Sequence, residues 1–304
     1  MKTVGTLVLV SLVLVGCSTV RTSPDTAVAD AKSNIHVLPI SNVKWEQLNP
    51  ARGDKSPQAG TLWGNRKASG STDAEYNTPC PICELGKRKG SVPTGFLAKF
   101  VDGFSSPPHI HNVTYRAVVI IGLVHNDDPN ATPMWMPSGS FWTQPKGEVH
   151  ITAAKGDKVM ALVEIDKGPY LVLPPAKAFD SGERPVNVDL SNIVWVDPPG
   201  MSGSVEGPKV AYLWGNLKDG ESNGTFLKLP PGFAGTLYSQ GRAFRAVVIR
   251  GHLEYHSPET KALEPGSHFG SSEDSVHNLA CRPDKECTIY IRTNGKYRLT
   301  HRQE

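Results

Sequence analysis

The segment Tyr115–Ile120, YRAVVI, occurs again almost unchanged as Phe244–Ile249, FRAVVI. Apolar and β-branched residues dominate both segments, which is typical of buried β-strands. A second pair of matching segments lies upstream in the same order, with Leu62–Asn65, LWGN, returning as Leu213–Asn216. An internal repeat of this kind predicts two copies of one structural unit.

The spacing between the copies locates an insertion. The offset is 213 − 62 = 151 at the LWGN segments and 244 − 115 = 129 at the RAVVI segments, so the first copy carries 151 − 129 = 22 extra residues. Short β-type runs separated by Gly, Pro, Asn and Asp fill both copies, which indicates an all-β chain. We predict domains at 35–178 and 187–304, joined by a linker at 179–186.

The composition excludes one class of partner. The formal net charge is +3 and no basic cluster stands out, so we expect no nucleic-acid binding. The 25 prolines and 29 glycines, together with short apolar runs, also favour strands and turns over long helices.

The beginning of the chain is typical of a bacterial lipoprotein. Lys2 precedes an apolar run, Thr6–Gly16, and Leu14-Val15-Gly16-Cys17 resembles the lipobox of the lipoprotein signal peptidase. We therefore expect a signal peptide at 1–16, a lipidated Cys17 and a flexible tether over 17–34, with a plain secretory signal as the alternative. Each buried acyl methylene contributes roughly 0.8 kcal/mol to membrane attachment. Ser18 favours the outer membrane facing the periplasm.

Histidines cluster in the first copy. His109 and His111 are two residues apart, so on a strand they face the same side, and His150 follows a Pro-Gly turn. Neutral imidazole suits Fe, Zn, Ni and Cu, and three such ligands leave coordination positions open. We predict a divalent transition metal bound by these three residues; histidines exposed on a β-turn are the alternative.

The segments carrying these histidines resemble the two cupin motifs. Pro107–Gly122 resembles motif one, HxH followed by a further ligand and Gly, and Pro137–His150 resembles the long form of motif two, PxG…PxGxxH. This form is similar to ChrR-type cupins and to relatives of the acetylacetone-cleaving dioxygenase. The layout is also similar to a bicupin family known only as a domain of unknown function. The resemblance implies two tandem double-stranded β-helix (jelly-roll) barrels, with His150 as the distal ligand.

One position departs from the motif. Where the family usually has Glu four residues after the second His, this chain has Tyr115, and the second copy has Phe244. An aromatic ring in both copies favours packing, although the Tyr115 phenol could instead ligate the metal or assist catalysis. With three neutral ligands the ion keeps its full charge, which favours an anionic or enolisable substrate. Glu148 and Glu164 are candidate compensating carboxylates.

The second copy lacks most of this motif. The alignment places Tyr238 and Gln240 at the positions of the first two histidines, and only His277 matches His150. We predict a metal-free structural partner or lid, with a small-ligand pocket of Tyr238, Gln240 and His277 as the alternative.

The remaining cysteines favour disulfides in an oxidising compartment. Cys281 and Cys287 enclose a short hairpin loop, and a bond between them would add roughly 2 kcal/mol on chain-entropy grounds. Cys80 and Cys83 lie in the insertion, where a disulfide is favoured over a zinc or redox site.

Two functions remain open at this point. The first is an envelope enzyme, an Fe-dependent dioxygenase or isomerase acting on a small oxygenated or anionic compound. The second is a non-catalytic binding or sensing lipoprotein that keeps the site for a metal or small ligand. Cupin folds serve both, so fold does not decide between them. A homodimer is compatible with such barrels.

Overall fold

The computed structural model describes residues 34–67, 92–201, 206–218 and 220–301. Within these ranges the chain forms twenty β-strands: β1 Ile35–Leu38, β2 Trp45–Gln47, β3 Gln58–Trp63, β4 Thr94–Phe100, β5 Ile110–His111, β6 Tyr115–Asp127, β7 Phe141–Gln144, β8 Ile151–Ile165, β9 Val172–Leu173, β10 Val186–Val188, β11 Lys209–Gly215, β12 Asn223–Leu229, β13 Ala234–Ser239, β14 Phe244–Arg250, β15 Leu253–Ser257, β16 Glu259–Leu263, β17 His268–Ser271, β18 Ser275–Cys281, β19 Cys287–Thr293 and β20 Tyr297–His301. Four short 3-10 helices lie at Ile40–Asn42, Pro50–Lys55, Pro175–Lys177 and Leu190–Asn192. In the described part of the chain no helix has the length and apolar character needed to cross a membrane.

The repeated strands β6 and β14 lie in the interior of their sheets, and both of their faces are buried. Along β6, Tyr115, Ala117 and Val119 point into the first barrel, whereas Val118 and Ile120 pack toward the second copy. A strand buried on both faces needs an apolar residue at nearly every position, which explains the continuous AVVI run.

The strands form two antiparallel barrels. The large sheet of the first has the order β10-β7-β6-β8-β4-β3-β2, and that of the second has the order β1-β17-β14-β19-β12-β11. A five-stranded sheet, β16-β15-β18-β13-β20, closes the second barrel, and the β5-β9 pair helps to close the first. The predicted all-β fold of two tandem cupin barrels is confirmed.

The two barrels exchange their first strands. β1, from the first copy, pairs with β17 of the second barrel, and β10, at the start of the second copy, pairs with β7 of the first. The predicted boundaries 35–178 and 187–304 therefore do not separate the sheets. Pairing with a strand from the other copy is a tertiary event that leaves no signal in the repeat.

A bulge lets one strand serve both walls of the first barrel. The motif places the end of the strand at Gly122, but β6 continues to Asp127 with its register shifted between Ile121 and Leu123. Gly122 has φ +77°, and a Cβ there would lie 2.7 Å from a methyl of Val159, so glycine is required.

Three apolar clusters hold this arrangement together. One fills the first barrel around Phe96 and Trp142, and one fills the second around Phe244 and Phe269. The third draws residues from both copies, including Trp63 and Phe226, and joins the barrels. The interior of each barrel is therefore a separate compartment, and the two can differ chemically.

Candidate metal centre

Strand pairing brings two of the predicted histidines together. His109 and His150 form an antiparallel bridge in which each backbone N–H donates to the other's carbonyl at 3.0 Å. His111 follows on β5, with its side chain on the same face as that of His109. The Pro-Gly turn before His150 brings it to this position.

The three imidazoles converge inside the first barrel. The ring centroids are 5.0 Å apart for His109 and His111, 4.3 Å for His109 and His150, and 5.2 Å for His111 and His150. One potential ligand atom from each ring lies within 4.8 Å of the others. The side chains are 8%, 2% and 1% exposed in sequence order, so the cluster is almost fully enclosed.

Backbone carbonyls orient all three rings in the same way. His109 Nδ1 lies 2.9 Å from the Pro107 carbonyl, His111 Nδ1 lies 2.9 Å from that of Leu171, and His150 Nδ1 lies 3.1 Å from that of Glu148. A carbonyl can only accept, so each Nδ1 carries the proton and each Nε2 presents a lone pair. Outer contacts of this type are characteristic of metal-binding histidines.

Electrostatics keep the imidazoles neutral. Burial, followed by the neighbouring imidazoles, lowers the pKa of His111 well below its ordinary value. Burial, with His109 as the second cause, lowers the pKa of His150 to about 3. Burial also lowers the pKa of His109. Metal ligation requires the neutral form, which burial favours in all three histidines.

The donor set fits a divalent transition metal. His150 Nε2 is buried and has no hydrogen-bond partner, which is costly for a polar atom unless something binds it. Three imidazole nitrogens without a carboxylate suit Fe, Zn, Ni or Cu better than Mg or Ca, which prefer oxygen.

Tyr115 contributes to the wall of the site. Its ring meets His111 edge-on at 5.2 Å, and its hydroxyl donates to Asn126 Oδ1 at 2.8 Å. Asn126 is held in turn by Gln144 and Thr152. Burial raises the pKa of Tyr115 to about 12, so the hydroxyl stays protonated and donates a hydrogen bond to Asn126. This contact favours the packing interpretation of Tyr115 over ligation.

Sequence reasoning missed Tyr170 as a site residue. Its ring stacks on His111 at 4.3 Å with an interplanar angle of 20°, and its hydroxyl lies 3.1 Å from His111 Nε2. The sequence carried one signal, because Tyr170 returns as Tyr297 in the second copy.

The two candidate carboxylates lie elsewhere. Glu164 is 1% exposed at the junction of the barrels, where it accepts from Tyr290 at 2.7 Å and lies 3.3 Å from Arg292. Glu148 lines a surface pocket of about 400 Å³ together with Phe179 and Arg184. Neither belongs to the histidine cluster, so neither offsets the charge of a bound ion directly.

The predicted match between the copies is off by one residue. β13 and β18 pair Leu237 with His277, so Leu237, not Tyr238, occupies the position of His109. Ser239 takes the position of His111, because the connection 240–243 is one residue longer than 112–114. Tyr238 and Gln240 are exposed and His277 is buried, so the alternative pocket of these three residues is wrong.

The cysteine predictions have different outcomes. Cys281 and Cys287 form the predicted disulfide across the β18–β19 turn, with their Cα atoms 5.9 Å apart. Cys17, Cys80 and Cys83 lie outside the described residues, so their lipidation and pairing stay predictions.

Comparisons with known proteins support the fold. A family model described as a domain of unknown function (DUF4437) matches residues 36–78 and 84–300. No curated protein matches the sequence.

Solved structures of the same fold differ in their described roles. A proposed dioxygenase from Nostoc punctiforme is 11% identical with a TM-score of 0.59, over 89% of this chain and 87% of that one. A proposed glyoxylate-induced protein from Pseudomonas aeruginosa is 9% identical with a TM-score of 0.52, over 89% of each chain. The 7S globulin of Momordica charantia is 9% identical with a TM-score of 0.51, over 84% of each chain. These likenesses establish the fold, and the site must decide the function.

Proposed function

The chain belongs to the DUF4437 family, and we propose that it is a metal-dependent bicupin enzyme whose first barrel holds one divalent transition metal on His109, His111 and His150. The observation that carries this proposal is the shared orientation of the imidazoles. Each Nδ1 is bound to a backbone carbonyl, and the buried Nε2 of His150 has no partner. Such an arrangement costs stability unless a cation binds there.

The charge of a bound ion supports the class of substrate that we propose. A bound ion would act as a Lewis acid toward a substrate oxygen. The donor group contains no carboxylate, so the charge of the ion would not be reduced and would favour an anionic or enolisable compound. Oxygen-dependent cleavage or isomerisation of a small oxygenated compound is the chemistry that we propose.

The surrounding residues prepare the site for such a compound. Trp142 and Val113 are buried in the apolar cluster that includes Tyr115 beside the histidines, and apolar surroundings strengthen electrostatic interactions. The Tyr115–Asn126–Gln144 chain of hydrogen bonds fixes the wall beside His150. The near-complete burial of the three histidines favours a small compound over a polymer.

The anchor is part of the same proposal. The lipobox-like segment before Cys17 supports lipid attachment, and Ser18 favours the outer membrane facing the periplasm. Cells fed labelled palmitate should label the wild-type chain, whereas Cys17→Ala should remain unlabelled. A labelled Cys17→Ala variant would contradict the assignment.

Metal analysis tests the centre of the proposal. The chain, purified without chelator or histidine tag, should contain about one equivalent of Fe, Zn, Ni or Cu by elemental analysis. If none is present and none binds on reconstitution, the proposed metal centre is wrong.

A second candidate function is a binding or sensing lipoprotein with the same site. The near-complete burial of the three histidines favours it, because a tightly held metal needs no open route through which substrate and product exchange. Oxygen consumption with a panel of small enolisable carboxylates and Fe(II) distinguishes the two functions. Turnover supports the enzyme, whereas saturable binding without turnover supports the sensor.

A further inference from the structure

We infer that Asn126 is a positioning residue for the metal, because its amide group orients His109 and His150 together through two hydrogen-bonded paths. This inference rests on the proposed metal centre. It names the buried side chain that fixes the directions in which two of the three ligands present their Nε2 atoms. A change at Asn126 should therefore alter both the affinity and the geometry of metal binding.

Asn126 lies where several buried polar groups meet. It is 1% exposed on β6, directly across the strand pair from Thr152, so the two side chains lie on the same face. Its Oδ1 accepts from Tyr115 Oη at 2.8 Å and from Thr152 Oγ1 at 2.7 Å, and its Nδ2 donates to Gln144 Oε1 at 2.9 Å. The exchanged strand β10 holds its backbone, since Asn187 Nδ2 donates to the Asn126 carbonyl at 3.0 Å. Both ends of the amide are therefore engaged on a fixed backbone.

The first path leads to His150. Gln144 Nε2 lies 3.5 Å from the Glu148 carbonyl, which also accepts from His150 Nδ1 at 3.1 Å. A carbonyl only accepts, so the Nε2 end of Gln144 must face Glu148 and the Oε1 end must face Asn126. That oxygen needs a donor, which Asn126 Nδ2 supplies. Asn126 thus fixes the amide that supports the carbonyl beside His150.

The second path leads to His109. Thr152, whose hydroxyl donates to Asn126, also donates its backbone N–H to Ser106 Oγ at 2.9 Å. Ser106 Oγ lies 3.3 Å from His109 Nδ1, so the Nδ1 proton is shared between this oxygen and the Pro107 carbonyl. Because the proton has two fixed acceptors, the ring of His109 is held in one orientation.

The same position holds the buried histidine of the second barrel. Asn126 lies opposite the residue two after His150, and Tyr255 lies opposite the residue two after His277. The Tyr255 hydroxyl reaches His277 Nδ1 directly, at 2.8 Å. Tyr255 therefore provides a matched control, a buried hydrogen bond to a histidine at the equivalent position in the barrel without the cluster.

Copper binding tests the inference. The wild-type chain should bind one equivalent of Cu(II), and competition with a chelator gives its affinity. Asn126→Leu keeps the approximate size of the side chain but can neither donate nor accept. It should bind Cu(II) about 10- to 100-fold more weakly, with a changed copper hyperfine coupling in the electron paramagnetic resonance spectrum, because His109 and His150 are free to rotate. A purely structural role would lower stability to urea and leave the affinity and spectrum of the folded chain unchanged.

Single-path variants separate the two routes. Ser106→Ala and Gln144→Met each interrupt one path and should weaken Cu(II) binding less than Asn126→Leu does. Because Asn126 acts on His150 through Gln144, Gln144→Met should add little when Asn126→Leu is already present. The control Tyr255→Phe should retain the wild-type affinity and spectrum. Circular dichroism verifies that each variant folds.

Unchanged Cu(II) affinity and spectrum in Asn126→Leu would overturn the inference and leave the three-histidine centre intact. If that variant does not fold, the single-path variants decide, and wild-type behaviour of both Ser106→Ala and Gln144→Met overturns the inference equally. A loss in Tyr255→Phe as large as that in Asn126→Leu also overturns it, because the effect would then come from any buried hydrogen bond. A wild-type chain that binds no Cu(II) overturns the proposed function itself.

Discussion

His150 and His277 occupy the same position in the two barrels, and their surroundings differ. His150 lies across the strand pair from His109, whereas His277 lies across from Leu237. His150 Nε2 has no partner, but His277 has partners on both nitrogens. Its Nδ1 lies 2.8 Å from Tyr255 Oη, and its Nε2 lies 3.4 Å from Ser239 Oγ and Ser271 Oγ.

This difference separates a buried histidine with one unpaired nitrogen from a buried histidine whose two nitrogens both have partners. A buried imidazole whose two nitrogens are hydrogen-bonded within the protein is stable in a core without a bound metal. Phe244 also stacks on His277 at 5.0 Å, where Tyr115 stands in the first barrel. The interior of the second barrel is thus packed and hydrogen-bonded around His277.

The largest effect should come from removing the matched histidines one at a time. His150→Ala should abolish metal binding, because two remaining imidazoles hold a transition ion poorly, whereas His277→Ala should keep about one equivalent. Elemental analysis of both variants measures this. Equal loss in the two would show that the comparison between the barrels is wrong.

The junction of the barrels offers a second contrast, between a buried and an exposed ion pair. Arg292→Met leaves Glu164, which is 1% exposed, with Tyr290 as its hydrogen-bond donor, so the free energy of unfolding should fall by about 3–5 kcal/mol. Urea denaturation measures the change.

The control for this prediction is Arg184→Ala, which breaks an exposed pair with Asp180 and should leave the urea midpoint unchanged. A loss of less than about 1 kcal/mol in Arg292→Met would mean that the buried pair adds little to the junction.

His277 should make the stability of the second barrel depend on pH. Burial lowers its pKa from 6.5 to about 4, so the unfolded chain takes up a proton first as the pH falls. Stability is therefore complete above pH 6.5 and declines toward pH 4. Between pH 7 and pH 5 this residue should remove about 2 kcal/mol.

The variant His277→Leu isolates this contribution. With chelator present, unfolding free energies at the two pH values should differ less in the variant than in the wild type. Identical pH dependence in the two chains would contradict the assignment.

The smallest effect should come from Tyr115→Phe. The hydroxyl donates one hydrogen bond to Asn126, which also accepts from Thr152, so the variant should lose about 1 kcal/mol of stability and no metal. Thermal unfolding and elemental analysis measure both. Loss of the metal together with the hydroxyl would assign Tyr115 a direct role.

The sequence by itself determined the all-β class, the two copies and the three histidines that meet. These features follow from local rules. An apolar run marks a strand buried on both faces, and HxH places two side chains on one face. The Cys281–Cys287 bond was equally predictable, because the two residues enclose a short hairpin loop.

Only the tertiary structure decided the strand exchange, the alignment of the second barrel and the place of Tyr170. The exchange of β1 and β10 and the pairing of Leu237 with His277 depend on which strands meet across the fold. One extra residue in the connection 240–243 shifts the match between the two copies by one residue upstream of it. On a strand, a shift of one residue turns every side chain to the other face. Tyr170 reaches His111 from 59 residues away through hydrogen bonds to Asn112, and periodicity in the sequence does not record a contact between distant strands.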